Sequence, residues 1–334
     1  MRAIIPVAGI GTRLRPHTFT TPKVLLNVAG KPILAHIIEL LINIGINKAT
    51  IITGYMGDRV MDFVYKKYPG LDVRFVHQEE TLGLGHAIWT ARKSFSSEPL
   101  LIILGDTIFD VDLSFVYNHH CNSLGVKEVT DPRRFGVVIK NSEGKIEKLI
   151  EKPDQPVSNL AIVGIYYIQN SDSLNHALDN IINNNIRTRG EFQLTDALQI
   201  MIENGEYFDT FDVEGWYDCG KPETLLSTNQ FLLNKINTQV TLDGSVIIPP
   251  SYISDKAKVE NSIVGPYASI ADEAVVKDTI LKNSIVSYGA QVYNSLLDES
   301  IIGNDAYVNG LFQKLNIGDS STLDYSKMTK NKEL

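Results

Sequence analysis

From residue 1 to about residue 237, short continuous apolar runs alternate with segments whose apolar residues recur at helical spacing. Residues 3–7, 49–53, 72–78 and 100–104 read as buried strands. Residues 32–44 read as a helix, with Pro32 in its first turn and Gly45 as its stop. Helical stretches over 58–68 and 84–95 separate the following strands. Strands alternating with helices predict an α/β fold, a Rossmann-like and mostly parallel sheet with helices on both faces. Between 124 and 168 the texture becomes β-rich, which makes the sheet mixed. Strands are expected over 135–140, 146–150 and 160–168, with Asn141-Ser142-Glu143-Gly144 turning between the first two. Helices return over 172–184, 192–203 and 222–236.

Near residue 240 the period changes. Ile247, Ile253, Val259, Val264, Ile270, Val276, Leu281, Val286, Val292, Leu297, Ile302 and Val308 recur every five or six positions. Small or turn-forming residues lie between them, among them Gly265, Pro266, Ser269, Ala271, Gly289 and Gly303. Neither a helix nor a simple strand has that period. A short parallel β-helix of hexapeptides does, each aliphatic residue marking one face of a triangular coil and pointing inward. At about 18 residues per coil, the segment holds roughly four coils. An ordinary β-sandwich would need a dozen such spacings by accident. The expected division is therefore 1–237, 238–319 and a polar, Lys-rich tail over 320–334.

Composition adds limits rather than a function. Hydrophobic residues make up 43% of the 334 and charged residues 21%, the proportion of a globular protein with a core. No apolar run approaches the roughly 20 residues that span a bilayer. Residues 1–8, interrupted by Pro6, read as a first strand rather than a leader. Cys121 and Cys219 alone imply no disulfide framework, and a reducing cytoplasm is the simplest location. A net charge of −8 argues against nucleic acid as a partner.

The chemistry begins directly after the first strand, at Ala8-Gly9-Ile10-Gly11-Thr12-Arg13-Leu14-Arg15-Pro16, followed by Pro22-Lys23. A glycine-rich turn after a strand exposes backbone N–H groups that can cradle phosphate oxygens. By itself Gly-x-Gly is more often a plain tight turn. A dinucleotide fingerprint needs a third glycine where Leu14 stands, and a P-loop needs Gly-Lys-Ser/Thr, which is missing. Two cations beside the loop suit a triphosphate better than a dinucleotide.

Together with Gln78, Gly83-Leu84-Gly85-His86-Ala87, Leu104-Gly105-Asp106, Phe135-Gly136-Val137-Val138, Glu151-Lys152-Pro153, Val163-Gly164, Gly190-Glu191, Thr195-Asp196 and Trp216-x-Asp218-x-Gly220, this loop resembles the signature of the sugar-phosphate nucleotidylyltransferases. The landmarks arrive in the family order across about 220 residues. The solenoid makes the likeness strongest to the long form of glucose-1-phosphate thymidylyltransferase, which carries a C-terminal left-handed β-helix. One stretch departs from that form: Pro6-Val7-Ala8-Gly9 stands where many thymidylyltransferases read Leu-Ala-Gly-Gly. That variant, with Gly83 to Ala87, also resembles the UTP-glucose-1-phosphate uridylyltransferases, so dTTP and UTP both stay open.

The resemblance implies Mg²⁺-dependent, in-line attack of a glucose 1-phosphate oxygen on the α-phosphorus of the triphosphate, with release of pyrophosphate. Two polyanions must meet, so positioning and charge neutralisation carry the catalysis. The family pattern assigns the nucleotide to Ala8, Gly9, Gly11, Thr12, Arg13, Gln78 and Gly83. It makes Arg13, Lys23 and Asp106 catalytic, and Asp106 and Asp218 the metal ligands. Gly136, Glu151, Lys152 and Val163 would bind the sugar phosphate. Each has a plainer reading: Arg and Lys are usually solvated, an Asp at a strand end is commonly a helix cap, and Trp216 to Gly220 reads as a turn. Gln78 at a strand end could match the O/N–H edge of a pyrimidine. His77, His86, His119 and His120 show no metal-ligand spacing and read as surface or structural.

Other readings are a mannose-1-phosphate guanylyltransferase, a non-catalytic sugar-nucleotide-binding relative, and a bifunctional enzyme with acetyltransferase activity in its β-helix. Gln78 with Gly83-Leu84 favours a pyrimidine over a purine, and all four charged residues of the reaction are retained. None of the seven histidines lies in the β-helix, so the usual base for acyl transfer is missing there. The β-helix is then expected to cap the catalytic domain and mediate subunit contact in a homo-oligomer.

Overall fold

The computed structural model describes residues 1–236 and 240–310. The expected boundary at 237, the last part of the expected β-helix and the 320–334 tail lie outside the described residues.

The apolar run at the N-terminus forms the strand Arg2–Pro6, flanked in parallel by Lys48–Thr53 and Leu100–Ile103. Asp72–His77 extends this parallel half at its edge. On the other side Leu160–Ile168 pairs antiparallel with Leu100–Ile103 and carries Gly136–Lys140, Ile146–Glu151 and Asn122–Glu128. Phe208–Asp212 then joins Asn122–Glu128 in parallel, completing a nine-stranded mixed sheet. Asn141 accepts from the backbone N–H groups of Glu143 and Lys145, which fixes the turn between two of the antiparallel strands.

Side chains along these strands alternate between two cores, as a sheet covered on both faces requires. Ala3, Ile5, Leu101 and Ile103 pack with helices Ile33–Asn43 and Gly57–Lys67 on one face. Ile4, Leu100 and Ile102 pack with Leu84–Thr90, Ser171–Asn183 and Leu194–Glu203 on the other. The helix expected over 84–95 stops at Thr90 and continues as a 3₁₀ turn over Arg92–Ser94, where the Ser94 hydroxyl bonds back to the Ala91 carbonyl.

After the helix Pro222–Lys235, three parallel four-stranded sheets form the walls of a triangular prism, the arrangement of a left-handed β-helix. The dozen aliphatic residues named above line its interior. Successive coils advance by 17, 17 and 16 residues, one or two fewer than hexapeptides would give. The corners explain the economy. Asn261, Asp278 and Asn294 stack at one corner, Tyr267, Asn283 and Glu299 at another, all with left-handed backbone that turns the chain sharply.

One wall of the prism, the Tyr252, Ser269 and Ile285 side, docks on the N-terminal α/β domain. Asn229 makes the junction: its carboxamide oxygen accepts from the Ala29 N–H and from Ser269 Oγ, and its nitrogen donates to the Tyr267 carbonyl. Gln230 donates to Asn283 at 2.6 Å.

Candidate active site

All four parallel strands end at the same edge, where open α/β sheets bind ligands. They deliver Ala8, Gly54, Gln78 and Asp106 to that edge. Gly54 has no room for a side chain, since a Cβ there would lie 2.7 Å from the Ala8 carbonyl. In the glycine loop Gly11 adopts φ +70° and starts the 3₁₀ turn Thr12–Leu14, and its carbonyl accepts from Thr18 Oγ at 2.8 Å. A Cβ on Gly11 would meet Lys23 Cβ at 3.0 Å, so loop and lysine are packed as one unit. Gly9 has open space above it, leaving its backbone approachable.

Lys23 is only 6% exposed. Its Nζ lies 2.6 Å from Asp106 Oδ2 and 4.0 Å from Asp218 Oδ1. Asp218 arrives by a route the sequence did not suggest. The expected turn around Trp216 is a strand, Gly215–Asp218, which pairs antiparallel with Thr107–Asp110 and sets Asp218 opposite Thr107. Backbone pairing continues past the ribbon, with the Cys219 N–H donating to the Asp106 carbonyl. The alternation Trp-Tyr-Asp is a strand pattern; the flanking glycines hid it. Arg13 reaches the same place, its Nη2 lying 2.9 Å from where a Cβ on Gly220 would be.

Two cavities meet at these groups. Ala8, Gly9, Lys23, Gln78, Gly83 and Asp106 line one of about 330 Å³. Arg13, Gly136, Glu151, Lys152, Val163, Asp106 and Asp218 line one of about 610 Å³. Asp106, Leu84, Leu104 and Glu191 belong to both. The expected residues are thus gathered, except that Gly11 and Thr12 stand on the loop outside both linings.

In the smaller cavity Gln78 is 5% exposed and oriented by His86, whose Nδ1 accepts from Nε2 at 3.0 Å. His86 stacks on Trp89 and Phe192, and burial lowers its pKa, keeping the ring neutral and able to accept. His86, expected to be surface or structural, settles which way the Gln78 amide faces. In the larger cavity Glu151 is held by Thr195 Oγ at 2.7 Å and by Lys152 Nζ at 3.3 Å. A Cβ on Gly136 would come within 3.0 Å of both Glu151 Oε2 and Thr195 Oγ, so only glycine leaves that carboxylate its place. Behind Thr195, burial raises the Asp196 carboxyl above its usual range.

Sequence reasoning missed the aromatic wall of Phe135 and Trp216, whose rings meet edge to face at 4.7 Å. It also missed a rim of cations, Arg133, Arg134 and Arg189, which joins Arg13 and Lys152 around an adjoining hollow. Exposed arginines carry no local sequence signal, and only the fold brings these together.

Asp106 and Asp218 present two half-exposed carboxylates to one point, each with an oxygen not engaged by Lys23. Hard and anionic, these two carboxylates have the donor chemistry that a magnesium ion requires.

The profile of the family described as "Nucleotidyl transferase" matches residues 2–235. A bifunctional GlmU protein of Methanococcus maripaludis is 38% identical over 264 residues, covering 78% of this chain and 61% of that relative. This chain thus spans about three-fifths of the length of that bifunctional relative. A glucose-1-phosphate thymidylyltransferase of Streptomyces griseus is 30% identical over 98% of this chain and 100% of its own length. The crystal structure of a UDP-glucose pyrophosphorylase complexed with UDP-glucose superposes with a TM-score of 0.59 and 27% identity, covering 70% of this chain and 99% of that one. Profile, relatives and fold converge on the domain that holds the two joined cavities, and the chain belongs to the nucleotidyl transferase family.

Proposed function

We propose that the chain transfers a pyrimidine nucleoside monophosphate from dTTP or UTP to glucose 1-phosphate, giving the nucleotide sugar and pyrophosphate. The observation that carries this reading is the junction of the two cavities at Asp106, with Lys23 and Arg13 beside it. The smaller cavity has the glycine loop at one end and an oriented amide at the other, the ends a nucleoside triphosphate needs. The larger has a fixed carboxylate and Lys152, suited to sugar hydroxyls and to the sugar phosphate. A phosphate bound in the larger cavity can then reach the α-phosphorus lying over Asp106 without leaving the cleft.

In this reading Ala8, Gly9, Gly11 and Thr12 offer backbone to the triphosphate, while Arg13 and Lys23 stabilise charge on the departing pyrophosphate. Gln78 and Gly83 meet the base. Gly136, Glu151, Lys152 and Val163 hold the hexose phosphate. Asp106 and Asp218 would bind Mg²⁺, which, when present, neutralises charge on the phosphates. No protein nucleophile is needed; the nearby Cys219 thiol is pushed up to about 12 by burial and stays protonated.

The β-helix is read as a structural cap. Val246, Ile263, Ile280 and Leu296 form an exposed aliphatic row, in register, on a wall other than the docked one. That row supports contact with a second copy and hence a homo-oligomer.

The reverse reaction tests the reading. Radiolabelled pyrophosphate should enter dTTP or UTP when the matching nucleoside diphosphate glucose and Mg²⁺ are supplied. Absence of exchange with both nucleotide sugars would refute it.

A further inference from the structure

Three side chains of metal-binding type converge away from the cleft, at the start of the strand Asn122–Glu128. His119 and Cys121 lie in the segment leading into it. Asp209 lies on the parallel neighbour Phe208–Asp212, as the register partner of Ser123. His119 Nε2 is 3.1 Å from Asp209 Oδ2, Cys121 Sγ is 3.4 Å from His119 Nε2, and Cys121 Sγ is 3.5 Å from Asp209 Oδ2. Around a tetrahedral zinc ion, bonds of about 2.0–2.1 Å to nitrogen and oxygen and about 2.3 Å to sulfur place ligand atoms about 3.3–3.6 Å apart. The observed triangle matches one face of that tetrahedron to within about 0.3 Å.

The surroundings hold the triangle in place. The His119 ring is flanked edge to face by Phe115 at 5.3 Å and Tyr167 at 5.7 Å, and the Tyr167 hydroxyl donates to the His119 carbonyl. Parallel register sets Ser123 on the same face of the sheet as Asp209, and its buried hydroxyl has no protein partner. All three ligands are half-buried, and none lines the cavities of the cleft. The donor set of one sulfur, one imidazole nitrogen and one carboxylate oxygen suits zinc and excludes magnesium.

We propose that His119, Cys121 and Asp209 bind one divalent transition ion of the zinc type, with its fourth position open to solvent. Binding forms a sulfur–metal bond and releases the Cys121 thiol proton to water, while His119 binds in its neutral form. Burial and Asp209 hold that proton in the metal-free protein, and the charge of the ion reverses their bias. The ion ties the segment before Asn122 to the neighbouring strand.

Metal-free full-length protein, titrated with cobalt(II) in excess Mg²⁺, tests this. One equivalent should produce a thiolate-to-cobalt charge-transfer band and the visible absorption of tetrahedral cobalt, both displaced by one equivalent of zinc. Cys121→Ser should abolish the charge-transfer band, and Cys219→Ala should retain it. His119→Gln and Asp209→Asn should each weaken cobalt binding at least tenfold. Zinc should raise the unfolding temperature of the unmodified protein, and raise that of His119→Gln by less at the same zinc concentration. No charge-transfer band in the unmodified protein, a band that survives Cys121→Ser, or one that needs Cys219 would each overturn the site.

Discussion

Lys23 sits almost fully buried between two carboxylates from different elements, and their fates are coupled. Lys23 is buried while both carboxylates are half-exposed, so removing the nearer charge leaves the ammonium only partly compensated, at a cost that solvent screening reduces. Asp106→Asn, at 2.6 Å from Lys23, should therefore lower both stability and turnover. Asp218→Asn, at 4.0 Å, should lower turnover by about 10²-fold or more while sparing the fold. Steady-state rates and denaturant midpoints for both variants check this. Near-normal rates in the two would remove the metal assignment. Gln78 gives a second case. Its amide is fixed by His86, so Gln78→Ala should raise KM for the pyrimidine triphosphate by an amount equivalent to about 1–3 kcal/mol, with a smaller effect on kcat. Unchanged KM and selectivity would mean that backbone alone reads the base. The ordered motifs singled out the glycine loop, Lys23 and both aspartates in the sequence, and the fold brings Gly9, Lys23, Asp106 and Asp218 to one cleft. The role of His86 was not legible in the sequence, since it depends on a ring eight residues from Gln78 turning back against it.

Among the elements, the parallel strands and the β-helix announced themselves because their periods are set by burial. Each rung of the helix is an aliphatic residue that points inward. Its coil length was misjudged because the corners use left-handed residues that save space, and nothing in the apolar spacing records that. The ribbon Gly215–Asp218 was misread for a related reason, its two flanking glycines looking like turn signals. The helix Ile33–Asn43 carries a pH dependence of its own. His36 donates to the Val28 carbonyl from a site whose burial lowers its pKa to about 4. The unfolded chain takes up this proton near 6.5, the folded one near 4, so the stabilisation is full above 6.5 and is lost as pH falls toward 4. Urea midpoints at pH 7.5 and 5 should differ, and His36→Gln should narrow the difference. An identical pH dependence in that variant would contradict the assignment to His36.

At the scale of the whole molecule, the β-helix and the catalytic domain share a polar junction centred on Asn229. Ending the chain at residue 237 should keep nucleotide binding but lower the unfolding temperature and reduce the oligomeric state, as calorimetry and sedimentation would show. Acetyl-CoA and glucosamine 1-phosphate should yield no free CoA, because the β-helix has no histidine to serve as base. Acetyl transfer by the full chain, lost on truncation, would overturn the structural reading of that domain. In the proposed reaction, the two cavities joined at Asp106 would bring a triphosphate and a sugar phosphate together. Pyrophosphate release, measured with glucose 1-phosphate against dTTP, UTP, GTP and ATP in the presence and absence of Mg²⁺, tests it most directly. Mg²⁺-dependent release with dTTP or UTP is expected, and release confined to GTP or ATP, or none with any nucleotide, would contradict the proposed reaction.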